Sequence, residues 1–127
     1  MTTVLDSHAV SVLSRSRRQV AEMIDRGEWP PLVPADVLAE CLTGDHRRDF
    51  HPNRLLRTCD IRKVTEVIAR HAAYLRTSVG QDGISATDAV VVAVADHAGG
   101  GVVLTSDLDD LRALARHSLH PIRVARV

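Results

Sequence analysis

Thr2-Thr3-Val4-Leu5-Asp6-Ser7-His8-Ala9-Val10-Ser11-Val12-Leu13 is the stretch whose reading decides the fold. A short β-prone apolar run, residues 3–5, stops at an aspartate, and a helical pattern begins at once. Ala9, Val12 and Leu13 recur at i, i+3 and i+4, one face of a helix. Asp6 therefore marks the point where a buried strand ends and a helix starts. In parallel α/β sheets that carboxyl edge is where ligands bind, because the loops there open away from the packed layers. Asp is also a favoured N-cap, so one acid at one strand end carries little weight until others arrive at the same edge.

The rest of the chain repeats the alternation. Residues 17–26 carry Val20, Met23 and Ile24 at helical spacing and end at Gly27. Trp29-Pro30-Pro31 is a stiff connector, since proline restricts its own φ and the residue before it. Leu32-Val33 is a second strand, and Pro34 introduces a helix over 35–43 with Val37, Leu38, Cys41 and Leu42 as its apolar side. Gly44 suits the C′ position. Asp36 and Glu40, four apart, share the opposite face. Residues 45–59 are polar, rich in Arg and His and broken by Pro52; they read as a helical segment, exposed and mobile. A short strand follows near 59–62. Val64, Val67, Ile68, Ala72, Leu75 and Val79 then form the apolar face of an amphipathic helix that Gly80-Gln81-Asp82-Gly83 ends.

Ser85 with Asp88 three residues on resembles a capping box, although that motif prefers Glu or Gln. The helix behind it, through Ala95, is apolar all round and belongs in the interior. After Gly99-Gly100-Gly101, residues 102–105 form a buried strand, Ser106-Asp107-Leu108-Asp109-Asp110-Leu111 turns into a last helix, and 121–124 make an edge strand. Strands alternating with helices predict a mostly parallel sheet covered on both faces.

Length and composition agree with one domain, residues 1–127, with an aliphatic core: the chain has one Trp, one Tyr and one Phe. Cys41 and Cys59 show no paired spacing and read as free thiols, Cys41 on the apolar side of its helix. The longest apolar run, 89–95, is too short to span a membrane, and no basic region followed by an apolar stretch opens the chain, so a cytoplasmic protein is expected. Sixteen acids balance sixteen bases, which argues against coating nucleic acid through bulk charge. Lys63 is the only lysine; the other bases are arginines, suited to bidentate phosphate contacts.

Three acids share one grammar. Asp6 and Asp107 each follow a strand, and Asp88 lies in the first turn of the buried helix. Each has a bland role, as a cap or as a complement to the helix dipole. Glu40, the fourth, has no capping role. As a set, converging carboxylates repel one another and raise some of their pKa values unless a cation is present. Hard divalent cations take oxygen ligands, and such a site suits phosphodiester hydrolysis.

Val4-Leu5-Asp6-Ser7, Glu40 within Pro34-Ala35-Asp36-Val37-Leu38-Ala39-Glu40, Thr87-Asp88-Ala89 and Leu104-Thr105-Ser106-Asp107 resemble the four motifs of PIN-domain ribonucleases. The length and Asp107-Leu108-Asp109-Asp110-Leu111 resemble, more narrowly, VapC toxins of toxin–antitoxin pairs. The resemblance spans essentially the whole chain, though 45–62 matches no motif. It implies a three-layer α/β/α sandwich and an Mg²⁺ or Mn²⁺ site held by Asp6, Glu40, Asp88 and Asp107. It further implies support from Thr105, a further acid at Asp110 (or its neighbour Asp109), and endonucleolytic cleavage of structured RNA of the tRNA or rRNA class. A homodimer and a cognate VapB-like antitoxin are also implied.

Other readings weigh less. A non-catalytic protein-binding module could use the same fold. A phosphoacceptor receiver needs a Lys after a late strand, and Lys63 precedes a helix. A haloacid-dehalogenase phosphatase needs Asp-x-Asp after the first strand, and position 8 is His8. The histidines form no His-x-x-x-His pair, so no zinc site is assigned, and His8 reads as a surface histidine. Gly99-Gly100-Gly101 precedes a strand and is no phosphate loop.

Overall fold

β1 (Thr3–Leu5) is buried along its whole length, which its apolar triplet requires of a strand flanked on both sides. The structure is a computed structural model and describes residues 2–127. β1 lies at the centre of a five-stranded, wholly parallel sheet of order β3-β2-β1-β4-β5. Its neighbours are β2 (Leu32–Pro34), with Val4 opposite Leu32, and β4 (Gly101–Thr105), with Thr3, Val4 and Leu5 opposite Val102, Val103 and Leu104. The edges are β3 (Asp60–Arg62) and β5 (Ile122–Arg126).

Seven helices cover the sheet: α1 (Ser7–Leu13), α2 (Arg17–Asp25), α3 (Val37–Cys41), α4 (Phe50–Leu56), α5 (Glu66–Val79), α6 (Ala86–His97) and α7 (Leu108–Ala115). α1 packs against α2, α3 and α4, whereas α5, α6 and α7 pack against one another. These two groups form the outer layers, as right-handed crossovers running first one way and then the other along the sheet demand. The fold is thus the expected α/β/α sandwich. α6 is its interior helix, with every residue from Ala89 to Asp96 buried. Ser85 caps it by accepting from Asp88 N–H at 3.0 Å.

Several boundaries differ from the pattern-based reading. Pro34 belongs to β2, and the helix expected over 35–43 is a five-residue turn, because Leu42 is extended and the next two amides are held elsewhere. Asp49 takes them: Thr43 N–H donates to both its carboxylate oxygens and Gly44 N–H to Oδ2 at 2.8 Å. Gly44 does adopt a left-handed φ of +85°, but in this loop and not at C′. The segment expected to be exposed buries Asp49, Leu55 and Leu56. Pro52 does not break α4, since it stands in the first turn, where amides have no intrahelical partner. Val67 and Ile24, placed on apolar faces by spacing, are exposed at 64% and 53%, while Ile68, Ala72, Leu75 and Met23 point inward.

At the sheet edge where the strands begin, Asp96 of α6 is 2% exposed and straps three elements together. Leu119 N–H donates to Oδ2 and His120 N–H to Oδ1, both at 2.9 Å, and the His120 Nδ1 lies 2.8 Å from Oδ1. His71 of α5 stands beside it, with Nε2 at 3.0 Å from Oδ2. Burial alone would raise this carboxyl, but those donors and the nearby His71 outweigh it and hold it below the usual carboxylate range. Beside this strap the backbone closes tightly: a Cβ on Gly101 would meet Thr2 O at 2.1 Å and one on Gly100 would meet Pro121 O at 2.4 Å.

Candidate functional site

Because every strand is parallel, all five end at the same edge, opposite the Asp96 strap. The acids singled out in the sequence sit on the connections there. Asp6 follows β1, Asp107 follows β4, Glu40 lies on α3 just after β2, and Asp88 lies in the first turn of α6.

Asp6 is buried at 2% exposure and does act as the N-cap of α1: Ala9 N–H donates to Oδ1 at 2.8 Å. That bond uses one oxygen. The other, Oδ2, lies 3.6 Å from Nδ1 of the exposed His8. Capping and a second role are therefore compatible, with the cap fixing the direction of the carboxylate. Asp107 also stands at an N-cap position, but its side chain makes no capping bond. The buried Thr105 holds its backbone instead, accepting from Asp107 N–H at 2.9 Å and donating to Asp107 C=O at 3.2 Å. The Asp107 carboxylate is left exposed and uncommitted.

Asp88 reports on how these groups lie relative to one another. Its carboxyl is pushed up to about 6, first by burial and then by the charges of Asp6, Glu40 and Asp110, against a lowering contact with Ser85. Asp6, Glu40 and Asp110 are thus near enough for Asp88 to feel their charge. Asp110 sits half-buried on α7, whereas its neighbour Asp109 is exposed.

All the candidate donors are carboxylate oxygens, the type Mg²⁺ and Mn²⁺ prefer, and a cation would relieve the repulsion that raises Asp88. The donor chemistry fits. The side chains are not drawn together, however: among the described residues no three His, Cys, Asp or Glu side chains are gathered closely enough to hold an ion as they stand. Among the described residues, the Glu40 and Asp107 side chains are exposed and make no hydrogen bond.

Two acids with a local role were not picked out from the sequence. Asp36, one turn before Glu40, has a buried Oδ1 without a hydrogen-bond partner, and its carboxyl is raised first by burial and also by Glu40. The i, i+4 spacing was the available signal. Asp49 lies in the stretch that matched no motif, and only its partners reveal it. Cys41 and Cys59 are free thiols raised by burial, Cys59 to about 11, which suits half-buried packing rather than nucleophilic chemistry. A cavity of about 320 Å³ between α1, α2 and α4 is lined by Leu13, Arg17, Val20, Ile24, Arg54 and Leu55 among others and includes none of the acids.

No protein-family model matches the chain, and no curated protein matches its sequence. Solved structures do match its shape. A chain of the VapBC2 complex from Rickettsia felis, bound to a promoter DNA fragment, superposes with a TM-score of 0.73 at 13% identity, covering 100% of this chain and 99% of that one. A chain of the DNA-bound VapBC from Salmonella typhimurium gives 0.71 at 15% identity, covering 99% and 98%. A chain of FitAcB from Neisseria gonorrhoeae gives 0.66 at 18%, covering 96% of each. From end to end, the chain has the PIN-like α/β/α fold that these VapBC and FitAcB structures contain.

Proposed function

We propose that this protein is a metal-dependent endoribonuclease, the VapC-type toxin of a toxin–antitoxin pair. The observation that carries the reading is the Asp88 carboxyl, held up at about 6 by burial and by Asp6, Glu40 and Asp110 on the edge where the parallel strands end. Mutually repelling carboxylates on a binding edge are unfavourable unless they serve a cation. The fold adds support, since structures of this shape occur in VapBC complexes.

In this reading Asp6, Glu40, Asp88 and Asp107 hold Mg²⁺ or Mn²⁺, with Asp110 as a further acid. The ion, when bound, polarises the scissile phosphate and supplies hydroxide near neutral pH. The chain's own groups prepare that site. The Ala9 amide fixes the Asp6 carboxylate through one oxygen and leaves the other free. Thr105 sets the backbone from which Asp107 projects. Asp88, half-buried, stays protonated in a larger fraction than an ordinary carboxyl, and a bound cation would favour its carboxylate form. The substrate is structured RNA of the tRNA or rRNA class, the partners are a second copy and a VapB-like antitoxin, and the setting is the cytoplasm; no described helix is long and apolar enough to cross a membrane.

The test is direct. Purified protein with Mn²⁺ is expected to cleave RNA from total cellular extracts, with Asp6→Asn or Asp88→Asn abolishing the cleavage. Equal cleavage by the variants sinks the assignment. One observation favours a second reading, a non-catalytic protein-binding module: the acids are not preassembled around an ion position. Calorimetry with Mn²⁺ separates the two, because only the nuclease should show a site that disappears in Asp107→Ala.

A further inference from the structure

Residues 43–49 begin two residues after α3 and three positions beyond Glu40, and their hydrogen bonds set the acids of the loop apart from its arginines. Both acids accept from the loop's own backbone, Asp49 from inside and Asp45 at the exposed surface. Asp49 is 4% exposed; its Oδ1 accepts from Thr43 N–H and Thr43 Oγ1, both at 2.9 Å, and its Oδ2 from Thr43 N–H at 3.0 Å and Gly44 N–H at 2.8 Å. Asp45 Oδ1 accepts from Arg47 N–H at 2.9 Å and Arg48 N–H at 3.4 Å, and Asp49 N–H closes the turn on Asp45 C=O at 2.9 Å.

The cations face outward. Arg47 and Arg48 are exposed, and among the described residues neither forms an ion pair. Four other arginines are ion-paired, Arg18 with Glu22, Arg26 with Glu28, Arg62 with Asp60 and Arg70 with Glu66, whereas Arg54 of the following α4 is exposed and, like Arg47 and Arg48, in no ion pair among the described residues. The loop is also tied to α3, the helix that carries Glu40, since Asp49 holds the amides of Thr43 and Gly44, the second and third residues beyond its end. Two adjacent guanidinium groups on a pre-ordered turn, with the local carboxylates occupied by backbone donors, can grip phosphates without losing the entropy of ordering the loop.

We infer that residues 43–49 form a prebuilt phosphate-gripping arm for RNA, in which Arg47 and Arg48 contact the backbone beside the acidic edge and Asp49 is the positioning residue that holds the turn. The inference rests on the nuclease reading for its substrate class. It assigns a role to the stretch in which no motif is legible.

The experiment measures binding of fluorescein-labelled oligouridylate and of a labelled RNA stem-loop to the intact protein across a salt series, in the Asp6→Asn background with chelator. Losing two phosphate contacts on a single strand is expected to reduce the log–log salt slope by about 1.4, and Arg47→Ala/Arg48→Ala should show that reduction while its thermal midpoint stays at the parent value. Arg47→Lys/Arg48→Lys should retain most of the slope, because charge dominates it. In the cleaving protein, Asp49→Asn is expected to raise KM for RNA well beyond any fall in kcat. An unchanged salt slope in the double alanine variant, or no RNA binding by the parent, overturns the arm. Should the parent bind RNA through Arg47 and Arg48 yet never cleave it with Mn²⁺, the arm stands and the nuclease reading falls. Should Arg47→Ala/Arg48→Ala weaken only a protein partner and leave RNA binding intact, the arm for RNA is refuted.

Discussion

At the scale of single residues, Asp88 concentrates the conflict between stability and chemistry. Its carboxyl titrates near 6 in the folded protein, against about 3.9 for an unfolded aspartate. A group with a raised folded pKa favours the fold only while protonated. Its contribution is fully present below about 4 and is lost as pH rises through 6. In chelator, Asp88→Asn is therefore expected to melt higher than the parent at pH 7.5, by on the order of 1 kcal/mol after allowance for its partial exposure. The gap should close toward pH 4. Thermal melts at the two pH values check this, and a variant less stable than the parent at pH 7.5 contradicts it. Asp6 shows the complementary case, in which one carboxylate serves both structure and site. Its capping bond was readable from Asp6-Ser7-His8-Ala9, because a strand end followed by a helical pattern leaves an amide three residues on without a partner.

At the scale of elements, the sequence was legible wherever a long periodic or uniformly apolar run met a clear stop. β1, β4, α5 and α6 are such runs. The helix after β2 was not legible in length, since Val37, Leu38, Cys41 and Leu42 carry helical spacing whether or not the last turn forms. What ended it was Asp49, a competitor for the amides of Thr43 and Gly44 that no local pattern reveals. Val67 failed for a related reason: one residue beside Ile68 on a helix can satisfy a spacing rule and still face water. Of the site, the acids and their order along the chain were readable, but their separations were not, because spacing in sequence does not say how far an exposed Glu40 or Asp107 stands from a buried Asp6. Asp96 was invisible for the same reason, its partners lying on α5 and beyond α7. Its folded pKa is depressed, so it stabilises above the unfolded value near 4 and that stabilisation fades as pH falls through the lower folded one. Asp96→Asn is expected to cost about 1.5–3 kcal/mol at neutral pH, the range for hydrogen bonds to a charged group. Urea unfolding should show the deficit shrinking below pH 4; a deficit independent of pH would mean that the strap works through packing alone.

At the scale of the whole molecule, the sandwich depends on the layer formed by α5 and α6. Leu75 is fully buried where α5 meets that layer. Leu75→Ala is expected to destabilise by about 2–5 kcal/mol, read as a lower urea midpoint with little change in slope, whereas Val67→Ala on the exposed side of α5 should be close to neutral. The central position of β1 has a further consequence, for timing. β1 has β4, made long after it, as one of its two neighbours, so the middle of the sheet stays open on one side until β4 is made. Such long-range parallel pairing is slow to form because loop closure precedes its reward. Asp6 leaves the ribosome early and Asp107 late, and the edge that carries both cannot exist before β4 docks. A protein of this topology that cleaved RNA would be harmless to the ribosome translating it until β4 had been made and had docked.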